Sequence, residues 1–95
     1  MNLIFMDEAL DDIETIRDFL AHAGATQVEG LVSEIYNAAE RLVGFPEIGV
    51  RVSNSELWGD VRDFFSVHYC LRYTCYQNVL YILRVWHQKE NERNL

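Results

Sequence analysis

Apolar residues recur at three- and four-residue intervals through the first half of the chain, then crowd into short runs in the last third. The first pattern is that of helices and the second that of strands. Asn2-Leu3-Ile4-Phe5 predicts a short opening strand. Asp7 offers an N-cap for a first helix, and Glu8, Asp11 and Asp12 load its positive end with acids. Leu10, Ile13, Ile16, Phe19 and Leu20 form its predicted buried stripe, and Gly24 its end. Thr26-Gln27-Val28-Glu29 reads as a capping box opening a second helix, with a stripe of Val28, Leu31, Val32, Ile35, Ala38, Ala39 and Leu42. Gly44 fits a left-handed C-terminal position, and Pro46 prevents the helix from resuming. Residues 47–60 hold no clean periodicity, and Val52-Ser53-Asn54-Ser55 reads as a loop.

Three strand-like runs follow: Val61–Phe65, Tyr69–Thr74, and Val79–Trp86 with His87 after it. Each is rich in β-branched and aromatic residues and each carries an interior arginine: Arg62, Arg72 and Arg84. A guanidinium inside an apolar strand needs a reason, because its charge resists burial. The three are expected to form one cationic surface, or to pair singly with Asp60, Asp63 or Glu56. Alternation puts Tyr69, Leu71 and Tyr73 on one face, opposite Cys70, Arg72 and Thr74. It puts Val79, Tyr81, Leu83 and Val85 opposite Leu80, Ile82, Arg84 and Trp86, so Trp86 is expected beside Arg84 on a partly open face. Asn78 suits the positive φ of a turn between the last two strands. The expected fold is α+β, in the order β-α-α-β-β-β. Two antiparallel helices pack on one face of a small, mainly antiparallel sheet. Residues 1–95 form a single domain in this reading, and residues 88–95 a frayed or briefly helical tail.

Charge sharpens this picture. The net charge of −7 is unevenly divided: residues 1–47 carry ten acids and two bases, residues 48–95 five acids and six bases. The helical half is acidic and the strand half mildly basic. No apolar run is long enough for a membrane helix, and the N-terminus lacks the basic start of a signal peptide, so a cytoplasmic location is expected. Cys70 and Cys75 are separated by roughly 16 Å of strand and point to opposite faces, too far for a disulfide. They read as free thiols packed like small apolar residues. The three histidines lack metal-ligand spacing, so neither metal nor cofactor is expected.

The element order, Glu8–Ile13, the turn Phe45-Pro46-Glu47-Ile48-Gly49, Arg62 in its strand, Tyr69–Tyr73, and above all Ile82–His87 resemble the RelE/ParE superfamily of bacterial toxins. The resemblance covers nearly the whole chain. It implies the toxin of a type II toxin–antitoxin, plasmid-stabilisation module, silenced by a cognate antitoxin that folds on its surface. The ParE branch is taken to inhibit DNA gyrase. The RelE branch cleaves messenger RNA on the ribosome and needs a base, an acid and cations around a phosphate. This chain lacks the RelE-type lysines: its only lysine is Lys89, and no tyrosine follows Tyr81. The resemblance therefore favours a ParE-like, non-enzymatic inhibitor. The alternatives are a RelE-like endoribonuclease and an attenuated, non-toxic antitoxin-binding member. Candidate catalytic residues on the RelE alternative are Arg72, Arg84 and His87. Candidate partner- or anion-binding residues are Arg62, Arg72, Arg84, Trp86, His87 and Lys89. No membrane or small-molecule substrate is expected.

Overall fold

Both helices and all three expected strand runs form, together with one strand that the periodicity does not reveal. The computed structural model describes residues 1–55 and 57–90, so Glu56 and the end of the tail lie outside the described residues. In chain order come β1 (Asn2–Phe5), α1 (Asp7–His22), α2 (Val28–Gly44), β2 (Val50–Ser55), β3 (Gly59–Phe65), β4 (Tyr69–Tyr76) and β5 (Val79–His87). One five-stranded sheet has the order β1-β5-β4-β3-β2. β1 runs parallel to β5, and the other pairs are antiparallel. This is the expected α+β architecture with β2 added at one edge.

β2 escapes the sequence because an edge strand pairs on one side only and buries little. Its register with β3 also slips between Arg51 and Ser53, which breaks any alternation. The helix ends differ from expectation too. Met6, not Asp7, is the N-cap of α1, and Gln27 is that of α2; neither makes a side-chain cap bond. The Thr26 capping box therefore does not form. Met6 is instead fixed by its N–H, which donates to the Ile82 carbonyl at 3.0 Å. Gly24 does end the first helix region with φ +84°, whereas Gly44 is simply the last residue of α2 and takes no positive φ.

The core lies between the helices and one sheet face. Ile13, Ile16, Ile35 and Leu42 meet Tyr69, Leu71, Tyr73, Leu80, Ile82 and Val85 there, all fully buried. Each such aliphatic side chain contributes about 1.5–3 kcal/mol through burial. Ala38 and Ala39 belong to the same cluster, while Leu10 is exposed and Ala9 takes the stripe position in its place. The β4–β5 hairpin closes through Gln77 (φ 48°) and Asn78 (φ 62°). Two successive left-handed residues are what a tight two-residue hairpin requires.

Strand β5 departs from simple alternation. Arg72 pairs with Arg84 but Tyr73 pairs with Ile82, so Leu83 is the extra residue of a bulge. The bulge swaps the faces: Leu80 and Ile82 point to the helices before it, and Val85 does so after it. Trp86 thus pairs across from Cys70 on the far face. That face is not open as expected, since Cys70, Arg72, Thr74 and Trp86 are all buried. Cys70 and Cys75 are free thiols; only Cys70 is buried, and Cys75 is exposed.

Candidate functional site

The three strand arginines do not form one surface: Arg72 and Arg84 are register partners on neighbouring strands, whereas Arg62 lies on the other face. Each guanidinium is held by a different carboxylate. Arg72 lies on the far face of the sheet beside its register partner Asp63. Its Nε donates to Asp63 Oδ1 at 2.7 Å and its Nη2 to Asp63 Oδ2 at 2.8 Å, a buried bidentate pair. The Trp86 ring covers the guanidinium at 5.1 Å, so the tryptophan stands beside Arg72 rather than Arg84.

Arg84 reaches around the sheet to α1. β1 ends opposite Ile82, and beyond it the Asp12 side chain takes over the β5 edge. Asp12 Oδ2 accepts from the Val85 N–H at 2.9 Å and from Arg84 Nε at 2.8 Å, and Oδ1 accepts from Arg84 Nη2 at 2.9 Å. One carboxylate therefore satisfies a backbone donor and anchors α1 to β5. The Asp12 hydrogen bond raises the Arg84 pKa still further. This partner was not foreseen. A signal existed, since Asp12 sits on the buried side of α1 with Ala9, Ile13 and Ile16, where a carboxylate requires a cation.

Arg62 points to the helix side, because it pairs in register with Tyr73. Its Nε donates to Asp60 Oδ2 at 3.3 Å, as foreseen, and its Nη1 to the carbonyls of Gly49 at 2.9 Å and Glu47 at 3.1 Å. Tyr73 grips the same turn: its hydroxyl donates to the Pro46 carbonyl at 2.7 Å and accepts from the Gly49 N–H at 2.9 Å. Burial raises the Tyr73 pKa, so the hydroxyl remains a donor. The turn from α2 to β2 is thus clamped from beneath, with Phe45 and Ile48 left exposed on top around a hollow of about 300 Å³. Sequence reasoning missed Tyr73 and Gly49 as a pair, because no local pattern joins residues on different elements.

His87 is buried at the end of β5, tilted against Phe19, edge-on to Tyr69 and stacked beside His68. Burial, first of all, holds the His87 pKa below the ordinary imidazole range, with His68 adding to the effect. His68 has an orienting partner that the sequence does not reveal, Glu34 on α2, at 2.8 Å. Lys89 is exposed just past β5. Trp58 packs against Tyr81 at 5.7 Å. Tyr36 is exposed on α2 and meets Phe5. Among the described residues no group of His, Cys, Asp and Glu is placed to hold a metal, and no helix is long and apolar enough to cross a membrane.

A helical hairpin on one face of a curled sheet, with its cationic strand residues tied into ion pairs, defines a small α+β domain of the RelE/ParE kind. The ParE toxin of the type II toxin–antitoxin system parDE is the family whose model matches residues 3–92, and the chain belongs to that family. It is also similar to a solved structure described as the chromosomal ParDE TA system from P. aeruginosa. The two share 21% sequence identity over 92% of this chain and 95% of that chain, with a TM-score of 0.71. At that identity the likeness speaks for the fold. No curated protein sequence matches the chain.

Proposed function

We propose that this protein is a ParE-type toxin that inhibits DNA gyrase by binding it, catalyses no reaction itself, and is neutralised in the cytoplasm by a cognate antitoxin. The observation that carries this reading is the fate of the candidate catalytic groups. Arg72 and Arg84 are each held bidentate by one aspartate, and His87 is buried against Phe19 and Tyr69. A site that cleaves RNA needs a base and cations converging on one phosphate. Each of these groups is committed to its own aspartate or to ring packing, which favours recognition over cleavage.

The surface suits partner binding. β2 is the outer strand of the sheet, and Val50, Val52, Phe45 and Ile48 are exposed along it and the turn before it. An open edge with neighbouring apolar side chains can accept an added strand, or a segment that folds on contact. Of the charged candidates, Arg62, Arg84 and Lys89 retain some exposure and are proposed as partner contacts. Expression in a bacterial host tests the reading. It predicts growth arrest with induction of the DNA-damage response, intact messenger RNA, and rescue by the antitoxin of the adjacent gene. Cleaved message with no DNA-damage signal would instead support the ribonuclease reading, and harmless expression the attenuated one.

A further inference from the structure

Two imidazoles fasten the end of β5. His68 lies in the β3–β4 turn and His87 closes β5, with ring centroids 6.2 Å apart and planes inclined by 24°. His68 Nδ1 lies 2.8 Å from Glu34 Oε2. His87 is flanked by Phe19 at 5.1 Å and meets Tyr69 edge-on at 5.5 Å. The backbone N–H of Lys89 donates to His87 Nδ1 at 3.1 Å. A backbone N–H cannot accept, so Nδ1 carries a lone pair, the ring is neutral, and its proton sits on Nε2. The chain after β5 is tied down around this ring. The Gln88 N–H donates to the His68 carbonyl at 2.8 Å, the Glu90 N–H to the His87 carbonyl at 2.8 Å, and the His87 N–H to Glu90 Oε1 at 3.0 Å.

We propose that His68 and His87 form an acid-released latch, which holds Gln88–Glu90 against the β3–β4 turn while His87 is neutral and frees them when it takes a proton. A proton on Nδ1 removes the acceptor of the Lys89 N–H. It also places a cation between two aromatic rings and beside a second imidazole. The groups facing His87 are Phe19 from α1, Tyr69 from β4, His68 with Glu34 of α2 behind it, and Lys89 and Glu90 from the following turn. Glu90 and Glu34 favour the charge, while burial, His68 and Lys89 oppose it and prevail. Once released, His87 returns to the ordinary imidazole value of about 6.5. The released form therefore binds more protons, so docking is fully stable above about pH 6.5 and weakens as pH falls through the window down to the depressed value. Within that window the docking equilibrium changes about tenfold per pH unit.

Nuclear magnetic resonance on the wild-type protein between pH 7.5 and 5.0 tests this. Protection of the Lys89 amide is expected to fall, by up to about tenfold per unit, as pH drops below about 6.5 toward the lower midpoint of the docked His87 ring. Core amides such as Leu71 should stay protected. His87→Gln, whose amide oxygen can accept the same bond without titrating, should remove the pH dependence, and His68→Gln should raise the His87 midpoint. Lys89 protection that stays constant from pH 7.5 to 5.0 would overturn the latch, and so would an unchanged pH dependence in His87→Gln. Should the variant fail to fold, the wild-type titration alone still decides.

Discussion

Gly49 shows how one missing side chain shapes the surface. A Cβ there would lie 2.6 Å from the Tyr73 hydroxyl oxygen, 2.7 Å from its Cε1 and 3.0 Å from the Asp63 carbonyl oxygen. The turn can close onto Tyr73 only because position 49 is empty. Gly49→Ala should destabilise the fold by about 1–3 kcal/mol in urea unfolding, as overpacking does. Gly30 is the control: a Cβ there meets nothing nearer than 3.9 Å, and it sits in α2. Gly30→Ala should stabilise by about 0.5–1 kcal/mol. Tyr69 gives a second residue-scale test. Its hydroxyl donates to the Leu31 carbonyl at 2.7 Å, and burial, with Glu34 adding to it, pushes its pKa up to about 12. An unfolded chain ionises this phenol near 10. The folded state thus keeps its proton longer, and stability should fall as pH rises from about 10 and level off past about 12. Tyr69→Phe should lose this alkaline dependence, as read by unfolding across pH 9–12. Neither Gly49 nor Tyr69 could be assigned these roles from sequence, because their partners lie 24 and 38 residues away along the chain.

At the scale of elements, α1, α2 and β3–β5 are legible because each concentrates the apolar residues that it buries. What escaped was the irregular backbone. The extra Leu83 shifts the faces of β5, and alternation cannot foresee a bulge. β2 lies at an edge where burial gives no signal; the N-terminus of α1 is held by a sheet contact, and neither helix uses a capping side chain. The ion pairs that join elements were half legible. Arg62–Asp60 lies within β3 and Arg72–Asp63 joins neighbouring strands, while Arg84–Asp12 spans 72 residues. These pairs make sharp predictions. Asp63→Ala leaves the buried Arg72 without this counter-charge and should destabilise by about 3–5 kcal/mol, whereas Asp63→Leu with Arg72→Met should recover most of that loss. Asp12→Ala removes the anchor of α1 on β5 and should lower stability by about 2–3 kcal/mol. Both are read from denaturant midpoints at constant slope.

Across the whole molecule, charge pairing decides what the surface offers. Arg17, Arg51, Arg62, Arg72 and Arg84 all pair with acids, and most acids of α1 and α2 face solvent. The net charge is −7, and the described residues present no cationic track of the kind that holds a nucleic-acid backbone. Fluorescence anisotropy with duplex DNA at physiological salt should therefore show no saturable binding in the low micromolar range. On the proposed reading, this surface favours contact with gyrase itself over contact with its DNA. The most direct test is a supercoiling assay with purified gyrase, relaxed plasmid and this protein. The account predicts a dose-dependent loss of supercoiling that the cognate antitoxin reverses. Undiminished supercoiling at a large molar excess of folded protein would contradict it.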